Sequence, residues 1–340
     1  MNIENEKSLT AFNTFGIAAV AAKLVTITDI NSAREALEFC NKTNLQSLIL
    51  GGGSNILFTK NPESLILLNR LRGIEIVGKD GPDRVLVKAA AGETWHEFVQ
   101  YCIRNNWGGL ENLSLIPGMV GASPMQNIGA YGVEIKDVFH SLEALSLENG
   151  NLKTFNSKEC NFGYRESVFK NTEKNKWLIS SVTFSLSAQN HQLHLDYGAI
   201  RTELEKAGIA KPEIADVSNA VISIRKSKLP DPAEIGNAGS FFKNPVVEIS
   251  VAETIKSKYP ELVSYPVNEH EVKLAAGWLI EKAGWKGYRE GDAGVHKNQA
   301  LVLVNYGNAG GNEILNLSTR IINDISDKFG VVLEREVNII

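Results

Sequence analysis

The chain has 340 residues, too many for one ordinary domain; at about 150 residues each, two domains are expected, or one large domain with an insert. Hydrophobic residues make up 43% and charged residues 22%, a balance that excludes wholesale disorder, a collagen-like repeat and a coiled coil. The net charge of −4 gives no general basic field for nucleic acid. Cys40, Cys102 and Cys160 are far apart and form no CxxC pair, which fits a reducing compartment. The opening residues carry no basic stretch followed by an apolar run, so no secretion signal is expected. The charge-free run from Asn112 to Val133 contains four glycines and two prolines and cannot be a membrane helix. A cytosolic location is expected.

In chain order, Lys23–Ile27 reads as a strand, and Asn31–Cys40 as a helix with Ala33, Leu37 and Cys40 on one face behind a capping Asn31 or Ser32. Ser47–Leu50 is a short buried strand that runs straight into Gly51-Gly52-Gly53-Ser54-Asn55. Leu65–Leu68, Ile74–Val77 and Val85–Lys88 are further strands, and Thr94 can cap a helix carrying Trp95, Phe98, Val99 and Cys102 on one face. Residues 108–132 hold six glycines and only one charge, Glu111. An exposed loop is normally polar, so this stretch suits backbone wrapped closely around a ligand. Strands return at Leu142–Leu147 and Trp177–Leu186, with FGYRES (162–167) between them, and HQLHL (191–195) also reads as a strand. Beyond Ala188 helices are expected at Ala199–Lys206, Ile214–Lys226, Ala252–Tyr259, Lys273–Ala283 and Asn312–Phe329, with a domain boundary near 188–205. The chain ends on an alternating stretch, Val331–Ile340, with Glu334 and Glu336 on its polar face.

Three glycines after a strand let several backbone N–H groups converge on an anion, and Ser54 and Asn55 add donors. No Gly-Lys-Ser/Thr follows, so this is no Walker loop, and Ile56 breaks a full GxGxxG. Alone it is a turn; with the 108–132 stretch it becomes a cradle for a large phosphate-bearing ligand. The segment Asn237–Pro245 gathers Ser240, two phenylalanines, Lys243 and Asn244, but has no GxSxG pattern, and a packed strand-edge turn is the plain alternative. Arg165, taken alone, reads as a surface or ion-pair arginine, and Arg225, Lys226 and Lys228 suit a helix C-terminus as well as a phosphate. The histidines are scattered, no HExxH exists, and no metal is expected.

Nine motifs then occur in one order: NTFGI (13–17), GGGSNILF (51–58), GLENLSLIPGMVGASPMQNIGAYG (109–132), FGYRES (162–167), KLPDP (228–232), NAGSFFKNP (237–245), KLAAGWLIEKAG (273–284), HKNQALVLVN (296–305) and LEREV (333–337). In this order, over nearly the whole chain, they resemble the UDP-N-acetylenolpyruvoylglucosamine reductase family. The resemblance implies an α+β fold: an FAD-binding domain of the vanillyl-alcohol-oxidase (PCMH) type over 17–187 with two α+β subdomains, a C-terminal α+β substrate-binding domain over 205–330, and a strand over 331–340 returning to the active site. It implies NADPH-dependent, FAD-mediated reduction of an enolpyruvyl ether on UDP-N-acetylglucosamine in peptidoglycan precursor synthesis, with a tyrosine loop around Tyr197 that closes over substrate.

By residue matching, Arg165, Glu336 and Ser240 are the catalytic candidates, Ser240 as proton donor. Tyr197, Arg225, Lys228, Asn244 and Gln299 are the candidates for the UDP-sugar. FAD is expected on Gly51, Gly52, Gly53, Ser54, Asn55, Ile116, Pro117, Gly118, Ser123, Pro124, Gln126, Asn127, Gly129, Ala130, Tyr131 and Gly132. The 51–55 loop has no histidine, which suggests non-covalent FAD. The family often has Glu-Pro-Glu where this chain has Glu334-Arg335-Glu336, so Glu334 is the fallback for the active-site glutamate. A monomer is expected. The rival readings are another FAD-linked sugar oxidase of the same fold and a non-catalytic nucleotide-sugar sensor.

Overall fold

The computed structural model describes all residues, 1–340. The chain forms two compact units, one made of Met1–Lys7, Ala21–Gly52 and Glu63–Ser227, the other of Ser8–Val20, Gly53–Pro62 and Lys228–Ile340.

The first unit holds two sheets. In one, Leu65–Asn69 lies between the parallel strands Val20–Ile27 and Ser47–Leu50, with Glu4–Ser8 on the outer edge. All five residues of Leu65–Asn69 are buried, as expected of a strand covered on both faces. The helix Ile30–Thr43 follows the first of these parallel strands and buries Ala33, Ala36, Leu37 and Cys40. The other sheet is antiparallel, in the order Leu152–Asn156, Phe139–Ser146, Trp177–Ser187, Arg84–Ala90, Ile74–Lys79. The helix Trp95–Arg104 joins its core through Trp95 and Phe98, whose rings meet Phe184 at 5.9 and 5.2 Å. The helices Gly198–Lys206 and Ile214–Lys228 form a satellite core in which Ile200, Leu204, Val217 and Val221 pack with Tyr131, Leu193 and Leu195.

The second unit is built on an antiparallel sheet ordered Gly236–Ser240, Val302–Asn305, Ala293–Val295, Arg289–Glu290, with a three-stranded sheet of Val246–Glu248, Glu271–Leu274 and Ser264–Pro266. The helix Gly311–Phe329 buries the expected stripe, Ile314, Leu317, Ile321, Ile325 and Phe329, and ends on Gly330 at φ 67°, whose N–H donates to the Ser326 carbonyl. The N-terminal segment 8–20 belongs here, tied by Asn237 N to the Thr14 carbonyl and by Asn305 Nδ2 to the Phe15 carbonyl, both at 2.9 Å; within it buried Asn13 Nδ2 donates to the Leu9 and Ile17 carbonyls at 2.9 and 3.0 Å, and Oδ1 accepts from Ile17 N at 2.9 Å. No helix is long and apolar enough to cross a membrane.

Several local expectations are corrected. The first helix is capped by Asp29, not Asn31 or Ser32: Ser32 N donates to Asp29 Oδ1 at 2.8 Å, and Asp29 N donates back to Ser32 Oγ at 3.2 Å. Thr94 stands at the cap position but makes no side-chain cap bond; Trp95 N donates to the Gly118 carbonyl at 3.0 Å instead. The 191–195 stretch is not a strand, because its polar groups are taken by side chains rather than a neighbouring strand: Ser187 Oγ holds His191 Nδ1 at 2.7 Å, and Asn112 Nδ2 donates to the His194 carbonyl at 2.9 Å. The expected helix over Lys273–Ala283 is split into a strand ending at Leu274 and a helix Ala276–Lys282, whose first N–H donates to Asn244 Oδ1 at 2.9 Å. In the last ten residues the alternation is real, with Val331, Leu333 and Val337 buried, but only Asn338–Ile339 pairs as a strand, parallel to Ile56–Leu57. The units part after Ser227 rather than near 188–205, since both helices of the 198–228 stretch pack on Tyr131 and its neighbours.

Replacing Asn13 by alanine removes three hydrogen bonds and takes the amide partner from both the N–H and the carbonyl of Ile17, while the Leu9 carbonyl keeps Phe12 N at 2.9 Å. Urea unfolding should register a loss of about 3 kcal/mol. A loss under about 1 kcal/mol would mean that water takes over the amide's role.

Candidate active site

In the first unit the glycines allow backbone to touch backbone. A Cβ on Gly52 would lie 3.1 Å from Gly118 Cα, and one on Gly121 would overlap Ala91. Arg70 Nη1 donates to the Gly51 carbonyl at 3.0 Å, fixing the end of the Ser47–Leu50 strand. Side chains within the 116–132 stretch spend their polar groups internally. Ser123 Oγ donates to the Val120 carbonyl at 2.7 Å; Asn127 donates to the Gly163 carbonyl at 2.9 Å and Glu134 Oε2 at 3.0 Å, and accepts from Lys136 N at 3.1 Å. The result is close backbone packing at Gly52 against Gly118 and at Gly121 against Ala91, with the Met119 side chain against Gly51 and Gly52.

Arg165 sits in a tight turn in which Gly163 and Glu166 exchange backbone hydrogen bonds at 3.0 and 3.3 Å. Its φ of 53° is left-handed, an uncommon state for a branched, bulky residue. Its Nη2 donates to the Gly129 carbonyl at 2.5 Å, and Gly129 must lack a side chain because a Cβ there would lie 3.1 Å from Arg165 Nη1 and 2.8 Å from Glu134 Cγ. Arg225 Nε donates to the Leu115 carbonyl at 3.2 Å, and its guanidinium also hydrogen-bonds the Tyr131 hydroxyl. Burial pulls the Arg225 pKa below its ordinary value; Tyr131 opposes this and the neighbouring Arg165 charge adds to it. The Tyr131 ring meets the Tyr197 ring edge-on at 5.2 Å, so Arg165, Gly129, Tyr131, Tyr197 and Arg225 form one cluster. It is cationic, and the hydrogen-bond partners of Arg225 are neutral, so the cluster suits an anionic ligand.

In the second unit a bulge lies between Asn237 and Ser240, with Gly239 at φ 70°. Such a bulge turns the following side chain out of the regular alternation. Asn237 holds the bulge, accepting from Gly239 N at 2.9 Å and donating to the Ile235 carbonyl at 2.8 Å. Beyond Ser240 the chain meets the C-terminal segment antiparallel: Glu336 N donates to the Phe241 carbonyl at 2.8 Å, Phe242 bridges Arg335, and Lys243 N donates to the Glu334 carbonyl at 2.9 Å. Glu336 is therefore one register step from Ser240.

The two glutamates are not equivalent. The Glu334 side chain is 73% exposed and pairs with Lys243 at 3.2 Å, whereas Glu336 is half-buried. Asn55 reaches the same ladder, donating to the Glu336 carbonyl at 3.2 Å and accepting at its own carbonyl from Asn338 N at 3.1 Å. Gly53 is locked beside it, since a Cβ there would overlap the Phe12 carbonyl. Asn244 uses its amide oxygen on the helix at Ala276, Gln299 Oε1 accepts from Leu301 N at 3.4 Å, and Lys228 is exposed at the end of its helix.

A relative from Flavobacterium johnsoniae described as UDP-N-acetylenolpyruvoylglucosamine reductase is 53% identical over 340 residues, covering 100% of both chains. The chain belongs to the UDP-N-acetylenolpyruvoylglucosamine reductase family. A Pseudomonas aeruginosa relative of the same description is 51% identical over 339 residues, covering 100% of this chain and 99% of its own. The family described as the UDP-N-acetylenolpyruvoylglucosamine reductase C-terminal domain matches residues 231–340, and an FAD binding domain matches residues 21–156. The crystal structure of the reductase from Thermus caldophilus superposes with a TM-score of 0.70 at 22% identity, covering 100% of this chain and 99% of that one, a likeness of fold. The α+β class is thus established, and the reductase-family chain is an oxidoreductase with an FAD-binding domain.

Reading the sequence of this reductase-family chain missed three side chains. Asn112 is buried, and its Oδ1 has no hydrogen-bond partner; the same holds for His296 Nδ1. His96 Nδ1 accepts from Leu115 N at 3.0 Å, which holds Leu115 at φ 58° with its carbonyl on Arg225. Only Leu115's two neighbours, 19 residues back and 110 ahead, make His96 relevant, and no local pattern carries that signal.

Burial lowers the His96 pKa; Glu97 opposes this, while Lys226 and Arg225 add to it. The unfolded chain therefore binds this proton at higher pH than the folded one. The stability that neutral His96 supplies is complete above about pH 6.5, the ordinary histidine value, and drains as pH falls through the lowered one. The thermal midpoint should fall from about pH 7.5 to about pH 5.5 more steeply in the wild type than in His96→Asn, which can still accept from Leu115 N. Equal slopes would remove His96 from the pH response.

Proposed function

We propose that this chain reduces the enolpyruvyl ether of UDP-N-acetylglucosamine to the lactyl ether of UDP-N-acetylmuramate, with NADPH as reductant, as a cytoplasmic monomer serving peptidoglycan precursor synthesis. The observation that carries the reading is Ser240, turned out of its strand by the Gly239 bulge and one register step from Glu336, in a chain that also has an FAD-binding domain.

Non-covalent FAD would be held by the backbone of Gly51–Asn55 and of Ile116–Gly132. Bound FAD would supply the two-electron chemistry that carries reducing equivalents from NADPH to the enolpyruvyl double bond. The substrate carbon beside the carboxylate then carries negative charge, delocalised as an enolate. Arg165 stabilises that charge, and its fixed turn means little reorganisation accompanies the step. A protonated Glu336 would donate a hydrogen bond to the same enolate. Ser240 gives its proton to the carbon, which completes the lactyl ether, and regains one from solvent through a relay; a serine hydroxyl is so weak an acid that only a base as strong as this enolate can take its proton. Tyr197, Arg225, Lys228, Asn244 and Gln299 bind the UDP-sugar, the cations and amides facing its diphosphate.

An anaerobic visible spectrum tests this. Flavin bands should bleach with NADPH and return with the UDP-linked enolpyruvyl substrate. A flavin that returns only with oxygen would make the protein an oxidase, and a colourless protein that takes up no FAD would sink the flavoenzyme reading.

Ser240→Ala should keep reduction by NADPH while slowing substrate-driven reoxidation about a thousandfold. Arg165→Met should slow the same half-reaction at least about a hundredfold. Glu336→Gln should slow it as well. If Glu334→Gln is the slow variant instead, the glutamate assignment is wrong.

A further inference from the structure

We propose that Asn112 is a positioning residue for the substrate: it ties the root of the Tyr197 loop to the backbone of the 116–132 segment. The proposal rests on the reading of Tyr197 as a substrate-binding residue. Asn112 is 1% exposed, and its Nδ2 donates to two carbonyls, Tyr131 at 3.0 Å and His194 at 2.9 Å. These belong to segments 63 residues apart in the chain. The first carbonyl is that of a tyrosine held at φ 50°, and the second lies three residues before Tyr197. The two tyrosine rings then meet edge-on at 5.2 Å. Leu193 and Leu195, on either side of His194, pack with Tyr131 in one apolar cluster. The loop is pinned upstream as well, where Ser187 Oγ holds His191 Nδ1 at 2.7 Å. Residues 188–197 form no helix or strand, so these side-chain ties replace a backbone ladder.

The other half of the amide identifies what Asn112 is there to do. Its Oδ1 is buried without a partner, a disfavoured state. A leucine would fill the same space without burying that acceptor, so the value of an amide here lies in its two donors. Tyr197 is 46% exposed, meets Tyr131 edge-on and lies three residues beyond the tie at His194. The tie acts on substrate binding and leaves the reductant half-reaction alone.

The test is a double-mutant cycle in the full-length flavoprotein with Asn112→Leu, Tyr197→Ala and both together. Asn112→Leu should raise KM for the UDP-linked enolpyruvyl substrate about tenfold, with flavin reduction by NADPH within about twofold of wild type. In the Tyr197→Ala background it should add nothing further, because both changes remove one interaction. Chymotrypsin should cut at Leu195 and Tyr197 faster in Asn112→Leu than in wild type. Multiplying KM effects would show independent action and overturn the proposal, as would an unchanged KM in Asn112→Leu where Tyr197→Ala raises it. If Tyr197→Ala leaves KM unaltered, the substrate reading of Tyr197 fails; wild-type cleavage of Asn112→Leu would then overturn the tie separately. If Asn112→Leu loses flavin, Asn112→Ala, smaller and also without donors, carries the same expectations. Loss of flavin in both would overturn the proposal, since Asn112 would then serve the FAD-binding domain as a whole.

Discussion

Irregular backbone buried in a protein must have its N–H and C=O groups paired, and much of what is proposed for this chain lies on irregular backbone. Short amide side chains meet that constraint. Asn69 donates to the Ile179 carbonyl at 3.0 Å and accepts from Leu71 N at 3.2 Å, joining the two sheets of the first unit. Asn127 closes the loop that carries Gly129, and Asn13 and Asn237 do the same in the second unit. Asn305 completes the set, donating to the Phe15 carbonyl at 2.9 Å and accepting from Gly307 N and Ala309 N at 2.9 Å each. An amide can donate and accept at once across a short reach, which neither a serine nor a carboxylate does as well.

The same loops hold the strained residues. Leu115, Asn127, Tyr131 and Arg165 all take positive φ, and they surround the cationic cluster of the first unit. Each costs of order 1 kcal/mol or more unless glycine takes the place. Hydrogen bonds at 2.5–3.2 Å from His96, Arg225, Asn112 and Arg165 offset that cost. Strain repaid in this way gives a site with one arrangement rather than several, and a guanidinium that is already in place stabilises developing charge without reorganising.

What could be read from the sequence follows from how local each cause is. The helix over 311–329 and the helix over 95–104 were legible because burial on one face is a local, periodic demand. The inner strands of the first unit's sheets were legible from their apolar runs, whereas the edge strands Glu4–Ser8 and Leu152–Asn156, polar and largely exposed, were not. The cap at Asp29 was missed because the helix begins at Ile30, three residues before the first residue of its buried stripe, Ala33. The 191–195 stretch has strand-like alternation, but a strand also needs a partner edge, and side chains of Asn112 and Ser187 occupy its polar groups. Arg165, Ser240 and Glu336 are candidates by resemblance only; spacing alone left Arg165 as a surface or ion-pair arginine and Glu334 equal to Glu336. What separates the glutamates is the Lys243 pairing, which brings together residues 91 positions apart.

The motif Gly51–Asn55 carries one further lesson. Its first two glycines belong to one compact unit and its last three residues to the other. Gly52 is shaped by Gly118, whereas Gly53 is shaped by Phe12 and Asn55 by Glu336 and Asn338. Five residues that look like a single phosphate loop therefore answer to two sets of packing demands. That explains why NTFGI travels with them: Thr14 N donates to the Gly53 carbonyl at 3.1 Å, and Thr14 O accepts from Asn237 N at 2.9 Å. Asn237 in turn holds the bulge that aims Ser240. A change in the N-terminal loop is thus mechanically connected, through three hydrogen-bonded residues of one unit, to the serine on which protonation depends in the proposed reaction.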